Sequence, residues 1–134
     1  MRVLIVEDDF TSRLLLQQLL APYGESHVAV NGREALEAFK AAIQKKQPYD
    51  LICLDIMMPE MDGQQALKEI RRLEEEAGAQ PECKVKILMT TALMDAKNVL
   101  TAFYELCDGY LMKPIDKAKL MKSLNEFGLV NDNG

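Results

Sequence analysis

The sequence has no apolar run approaching the roughly 20 residues that cross a bilayer, so no membrane span is expected. It has no excess of positive charge. The net charge of −5 argues against a nucleic-acid-binding surface, which is normally basic, and is read as a solubility feature. Cysteine is scarce. Cys53, Cys83 and Cys107 are an odd number at wide, unpatterned spacing, which fits neither a disulfide framework nor a zinc site. Cys53 and Cys107 read as small core hydrophobes in a reducing compartment. A strand-like run begins directly after Met1-Arg2, so no signal peptide is expected. Together these features point to the cytoplasm. Internal repeats, low-complexity stretches and interdomain linkers are also missing, as is a Gly-x-x-x-x-Gly-Lys phosphate loop.

What is present is the material for one domain. A chain of 134 residues with 49% hydrophobic and 28% charged residues is ordinary for a globular protein. At this size folding hides about 70% of the unfolded surface. Strand and helix patterns alternate five times. Residues 3–7 form the first strand. Thr11 or Ser12 caps a helix that Pro22 and Gly24 stop, with Leu15, Leu16, Leu19 and Leu20 on one face. His27 to Val30 is a short second strand. Asn31-Gly32 then turns into a helix at about 33–45, with Ala35, Leu36, Phe39 and Ile43 facing the core. Residues 51–55 form a third strand with no polar alternation, the mark of a strand buried on both faces. A third helix is expected at about 64–76, a fourth strand at about 85–90 and a fourth helix at about 95–106. A fifth strand follows at about 109–112, then a last helix from Asp116 to about Phe127 and a frayed tail from Asn131. Such alternation predicts a parallel α/β sheet covered on both faces. Right-handed crossovers put all five strand ends on one edge, where ligands of open α/β sheets bind.

Four of those ends carry chemistry. The first strand runs into Glu7-Asp8-Asp9, the third into Asp55, the fourth into Thr90-Thr91 and the fifth into Lys113-Pro114. Crowded carboxylates ask for a cation or a raised pKa. Oxygen donors without nearby His or Cys favour a hard ion such as Mg²⁺. Pro114 biases Lys113 towards extended geometry, which holds its ammonium at the sheet edge, where it can neutralise a phosphoryl group. A threonine hydroxyl can donate to a phosphate oxygen, and alternation lets only one of Thr90 and Thr91 face the pocket.

As a set, Leu-Ile-Val-Glu-Asp-Asp, Leu-Asp-Ile-Met-Met-Pro-Glu-Met-Asp-Gly, Thr-Thr-Ala and Tyr-Leu-Met-Lys-Pro-Ile resemble the motifs of response regulator receiver domains. These are the phosphoacceptor modules of two-component signal transduction, and the likeness is to single-domain, chemotaxis-regulator-like members. It runs from Val3 to about Phe127, with residues 1–129 as the domain and 130–134 as a disordered tail. It implies a flavodoxin-like, doubly wound (βα)5 fold with strand order 2-1-3-4-5, an order known for a chemotaxis regulator of this family. It implies Asp55 as phosphoryl acceptor. It also implies Mg²⁺ held by Asp8, Asp55 and the carbonyl of Met57, with Glu7 completing the acidic pair, and Lys113 as the neutralising lysine. Thr91 is the implied switch hydroxyl because Ala92 follows it, and Tyr110 the aromatic switch position. The implied partners are a histidine kinase or histidine phosphotransfer protein and an unidentified downstream protein. The latter would be met on the face of the fourth helix, fifth strand and last helix, by a monomer or a phosphorylation-dependent homodimer.

Met57 and Leu93 fall at positions that in this family influence the approach of a hydrolytic water. Both are apolar, from which slow self-dephosphorylation is expected. The stretch from Glu74 to Pro81 reads as a solvated acidic insertion. His27 opens a strand and so is not expected to be a relay histidine. A Mg²⁺-dependent phosphohydrolase with an Asp nucleophile is the competing reading. Such enzymes often carry a second Asp two residues on, where this chain has Met57, so a switch rather than a turnover enzyme is expected.

Overall fold

The computed structural model describes residues 1–56, 63–91 and 106–130. The expected fourth helix lies almost wholly outside them, as do Met57, Leu93 and the tail from residue 131. The described strands are β1 (Arg2–Val6), β2 (Glu25–Ala29), β3 (Leu51–Asp55), β4 (Lys86–Thr91) and β5 (Gly109–Met112). The helices are α1 (Phe10–Leu20), α2 (Gly32–Gln44), α3 (Gly63–Glu76) and α4 (Lys117–Glu126). All strand pairs are parallel, in the order β2-β1-β3-β4-β5. Among the described residues no helix is long and apolar enough to cross a membrane.

The reason for this sheet is legible in β3, whose five residues are all buried. A strand without a polar face must be covered on both sides, and burying each Leu or Ile there contributes about 1.5–3 kcal/mol. Alternation divides the core in two. Leu4, Val6, Ile52, Leu54, Ile87 and Met89 pack under α2 and α3. Val3, Ile5, Leu51, Cys53, Leu88 and Leu111 pack under α1 and α4. This second face leads to the site.

Several local expectations change. The cap of α1 is Asp9, not Thr11 or Ser12. Its carboxylate accepts from the Ser12 N–H at 2.9 Å and the Ser12 hydroxyl at 2.7 Å, satisfying a donor the helix cannot. Strand β2 begins at Glu25, because Glu25 N–H donates to the Met1 carbonyl at 3.0 Å. It is an edge strand and half exposed, so it lacks an apolar signature. Ile43, expected in the core, is 40% exposed. Glu74 does not belong to a solvated insertion. It is buried in α3, where its carboxylate accepts from Arg71 at 2.7 Å and from the Val85 N–H at 2.8 Å. Arg71 also donates to the carbonyls of Leu106 and Val85 and to Asp108. The acidic residue thereby ties the last turn of α3 to the entrance of β4.

Candidate functional site

The carboxyl edge of β1 delivers Glu7 and Asp8. The Glu7 main-chain N–H still donates to Ala29 at 3.0 Å, so the chain keeps strand geometry one residue past Val6 and turns Glu7 inward. Glu7 is fully buried and Asp8 exposed. Asp9 faces away, occupied with Ser12 as the α1 cap; its bonds to Ser12 hold its carboxyl below the usual range. The Glu7 carbonyl accepts from Arg13 at 3.2 Å, which fastens the start of α1 to the acidic turn.

Asp55 ends β3 and is 4% exposed. The register pairs Val6 with Leu54, so Glu7 lies beside Asp55. It also pairs Asp55 with Thr90, and Thr90 with Leu111. Neighbouring strands are about 4.8 Å apart, so Glu7, Asp55 and Thr90 form one row on the α1–α4 face. Gly63, at the start of α3, permits the close packing behind Asp55. A β-carbon there would overlap the Asp55 carbonyl oxygen and lie 2.6 Å from the Ile56 Cα.

Lys113 follows β5 directly, with its N–H donating to the Thr91 carbonyl at 2.8 Å. Its ammonium lies 3.2 Å from Asp55 Oδ2, 3.1 Å from Glu7 Oε1 and 2.9 Å from Glu7 Oε2. Burial opposes its charge. The Glu7 hydrogen bond and the attraction of Asp55 and Glu7 outweigh that and hold the ammonium above its ordinary range. Burial also dominates at Glu7, whose pKa is pushed up to about 7. The Lys113 hydrogen bond opposes the rise and the Asp55 charge adds to it. The expectation that crowding raises a carboxylate pKa therefore holds for Glu7, with burial as the larger cause.

Carboxylate oxygens of Glu7, Asp8 and Asp55 come within 4.8 Å of one another. This all-oxygen set, with more negative charge than one ammonium neutralises, fits a small hard cation. Thr91 ends β4 fully buried, and Tyr110 on β5 is 42% exposed; the register and strand alternation turn Thr90, not the expected Thr91, to the face that carries Asp55. The Met57 carbonyl and the Leu93 side chain lie outside the described residues. His27 stands in β2, hydrogen-bonded to Glu25 and Tyr49 at 2.8 Å each. Sequence reasoning missed Asp9 as a cap and Thr90 as the strand neighbour of Asp55. The period-2 alternation of β4 with its register could have revealed the second, but register is not written in one strand alone.

The sequence model of the response regulator receiver domain matches residues 3–125. The chain is 32% identical over 127 residues to the chemotaxis protein CheY of Thermotoga maritima, covering 93% of this chain and 95% of that one. The response regulator TrrA of Thermotoga maritima, solved in complex with Mg(2+)-BeF, superposes with a TM-score of 0.74 at 30% identity, over 94% of this chain and 97% of that one. The co-crystal structure of the Saccharomyces cerevisiae phosphotransfer protein Ypd1 with the receiver domain of Ssk1 gives a TM-score of 0.79 at 29% identity, over 98% and 93%.

Proposed function

The chain belongs to the response regulator receiver family, and on that premise we propose that Asp55 is its phosphoacceptor. The observation that carries the reading is the buried Asp55 carboxylate held 3.2 Å from the Lys113 ammonium, with Glu7 and Asp8 gathered beside it. Asp55 attacks the phosphorus of a phosphohistidine or small phosphodonor. A P–O bond forms, the leaving group departs, and an acyl phosphate results. Lys113 turns its charge to the phosphoryl oxygens, which frees Glu7. Glu7, Asp8 and Asp55 would hold Mg²⁺, with the Met57 carbonyl as a further donor. When bound, this ion neutralises charge on the transferred group.

The new group brings a charge of roughly −1.5 to −2. Thr91 senses it. Support comes from its place at the end of β4, where its carbonyl is tied to the Lys113 N–H. Tyr110, exposed on the neighbouring strand, changes the face that β5 and α4 share with the expected fourth helix. The protein acts as a cytoplasmic switch rather than a turnover enzyme. It is charged by a histidine kinase or histidine phosphotransfer protein and read by a downstream protein, as a monomer or a phosphorylation-dependent homodimer. Met57 and Leu93 slow the loss of the phosphoryl group. A Met57→Asn, Leu93→Glu double variant that decays no faster than wild type removes that assignment.

Incubation with acetyl phosphate and Mg²⁺ tests the central reading. Intact mass is expected to show one phosphoryl adduct on wild type and none on Asp55→Asn. Equal labelling of the two defeats the reading, and phosphate release over many turnovers converts it to an enzyme.

A further inference from the structure

Lys113 reaches its two carboxylates across an intervening strand. Strand β4 lies between β5, which the lysine follows, and β3, which carries Asp55. The ammonium is nevertheless 3.2 Å from Asp55 and 2.9 Å from Glu7, beyond β3. The lysine arm must therefore pass over β4. The β4 residue at that level and on that face is Thr90, paired in register with both Asp55 and Leu111. It is 1% exposed, and among the described residues its hydroxyl has no hydrogen-bond partner. A buried hydroxyl without a partner carries a desolvation cost that a valine of the same shape avoids. An unpartnered hydroxyl here calls for a function.

The chemistry of its neighbours supplies one. The ammonium only donates and the carboxylate only accepts, whereas a hydroxyl has one donor and two acceptor positions. It can accept from Lys113 and donate to Asp55 together. We propose that Thr90 is a positioning residue for phosphoryl transfer, its hydroxyl bridging the Lys113 ammonium and the Asp55 carboxyl group as the lysine releases Glu7 for the incoming phosphoryl group. This rests on the assignment of Asp55 as phosphoacceptor and is separate from the switch role of Thr91, one residue on and on the other side of the strand.

The test uses Thr90→Val and Thr90→Ser in the full chain, with acetyl phosphate as donor and saturating Mg²⁺. Thr90→Val is expected to label about tenfold more slowly, the loss of a hydrogen bond to charged groups. Its Mg²⁺ affinity by calorimetry and its urea midpoint should not fall. Thr90→Ser, which keeps the hydroxyl and loses a methyl group, should label like wild type. The proposal is overturned if Thr90→Val labels as fast as wild type. It is overturned equally if both variants are slow and less stable, since Thr90 would then serve only packing. No adduct on wild type removes the phosphoacceptor assignment and this proposal with it. A wild-type adduct with an unaffected Thr90→Val removes this proposal alone.

Discussion

Glu7 and Asp55 share one ammonium, with Lys113 Nζ 2.9 Å from a Glu7 oxygen and 3.2 Å from an Asp55 oxygen. Two buried carboxylates and one cation leave a charge imbalance, and the protein resolves it at Glu7, whose pKa rises to about 7. The unfolded chain releases that proton near the ordinary value of 4.5. Across this window the folded state holds a proton that the unfolded state has lost, so stability falls as pH rises. The contribution is fully present below 4.5 and gone above about 7. Urea unfolding of metal-free protein across the window should show this slope, and Glu7→Gln should flatten it. Parallel curves for the two proteins would refute the assignment. Mg²⁺ must displace the same proton, so its affinity should increase over the same range.

Replacing the shared cation gives a second outcome. In Lys113→Met the hydrogen bond that restrains the Glu7 pKa is lost. Glu7 should then titrate higher still, as read from its carboxyl carbon resonance. At a pH where Glu7 is ionised, Mg²⁺ should bind more tightly, because the ammonium no longer competes for the same oxygens. Phosphoryl labelling should nonetheless drop about a hundredfold, as when one donor to a developing charge is removed. A variant that labels normally would show that Lys113 is only a counter-ion.

The sheet was readable because its three central strands, β1, β3 and β4, are almost wholly buried and so strongly patterned. Residues 51–55 and 109–112 fall where expected, and Asp116 caps the last helix, accepting from Ala118 N–H at 2.9 Å. What was hidden depends on contacts between distant segments. The start of β2 is fixed by the Met1 carbonyl, which no local pattern at Glu25 and Ser26 announces. Glu74 looks like one of three solvated glutamates until Arg71 and the Val85 N–H are placed around it. The site followed the same rule. Glu7, Asp8, Asp55 and Lys113 were visible as strand-end residues, whereas the row joining Thr90 to Asp55 appears only with the register.

Glu74 gives a prediction at the edge of the sheet away from the site. Its side chain is 5% exposed and that of Arg71 15%. Glu74→Ala takes one of its two carboxylate partners from the Arg71 guanidinium, leaving Asp108, and removes the side-chain acceptor of the Val85 N–H. Breaking such a pair from one side costs about 3 kcal/mol. Glu74→Gln keeps one acceptor oxygen and should cost less. Urea midpoints check both, and labelling of the folded fraction should be unchanged. A Glu74→Ala protein as stable as wild type would show that Arg71 is held by the Leu106, Val85 and Asp108 oxygens alone.

Gly63 couples packing to the acceptor itself. The first residue of α3 rests on the main chain of Asp55 and Ile56 so closely that a β-carbon would overlap the Asp55 carbonyl oxygen. The opposing atoms are backbone, and no side-chain rotation can relieve them. Gly63→Ala must therefore shift either α3 or the end of β3. Overpacking of this kind costs about 1–3 kcal/mol, although alanine is the better helix former. The shift falls on the residue that carries the reactive carboxylate, so labelling by acetyl phosphate should slow even in the folded fraction. Urea unfolding and the labelling rate, measured on the same sample, separate the two effects. If both are unchanged, α3 moves freely against β3 and the close approach at Gly63 does not position Asp55.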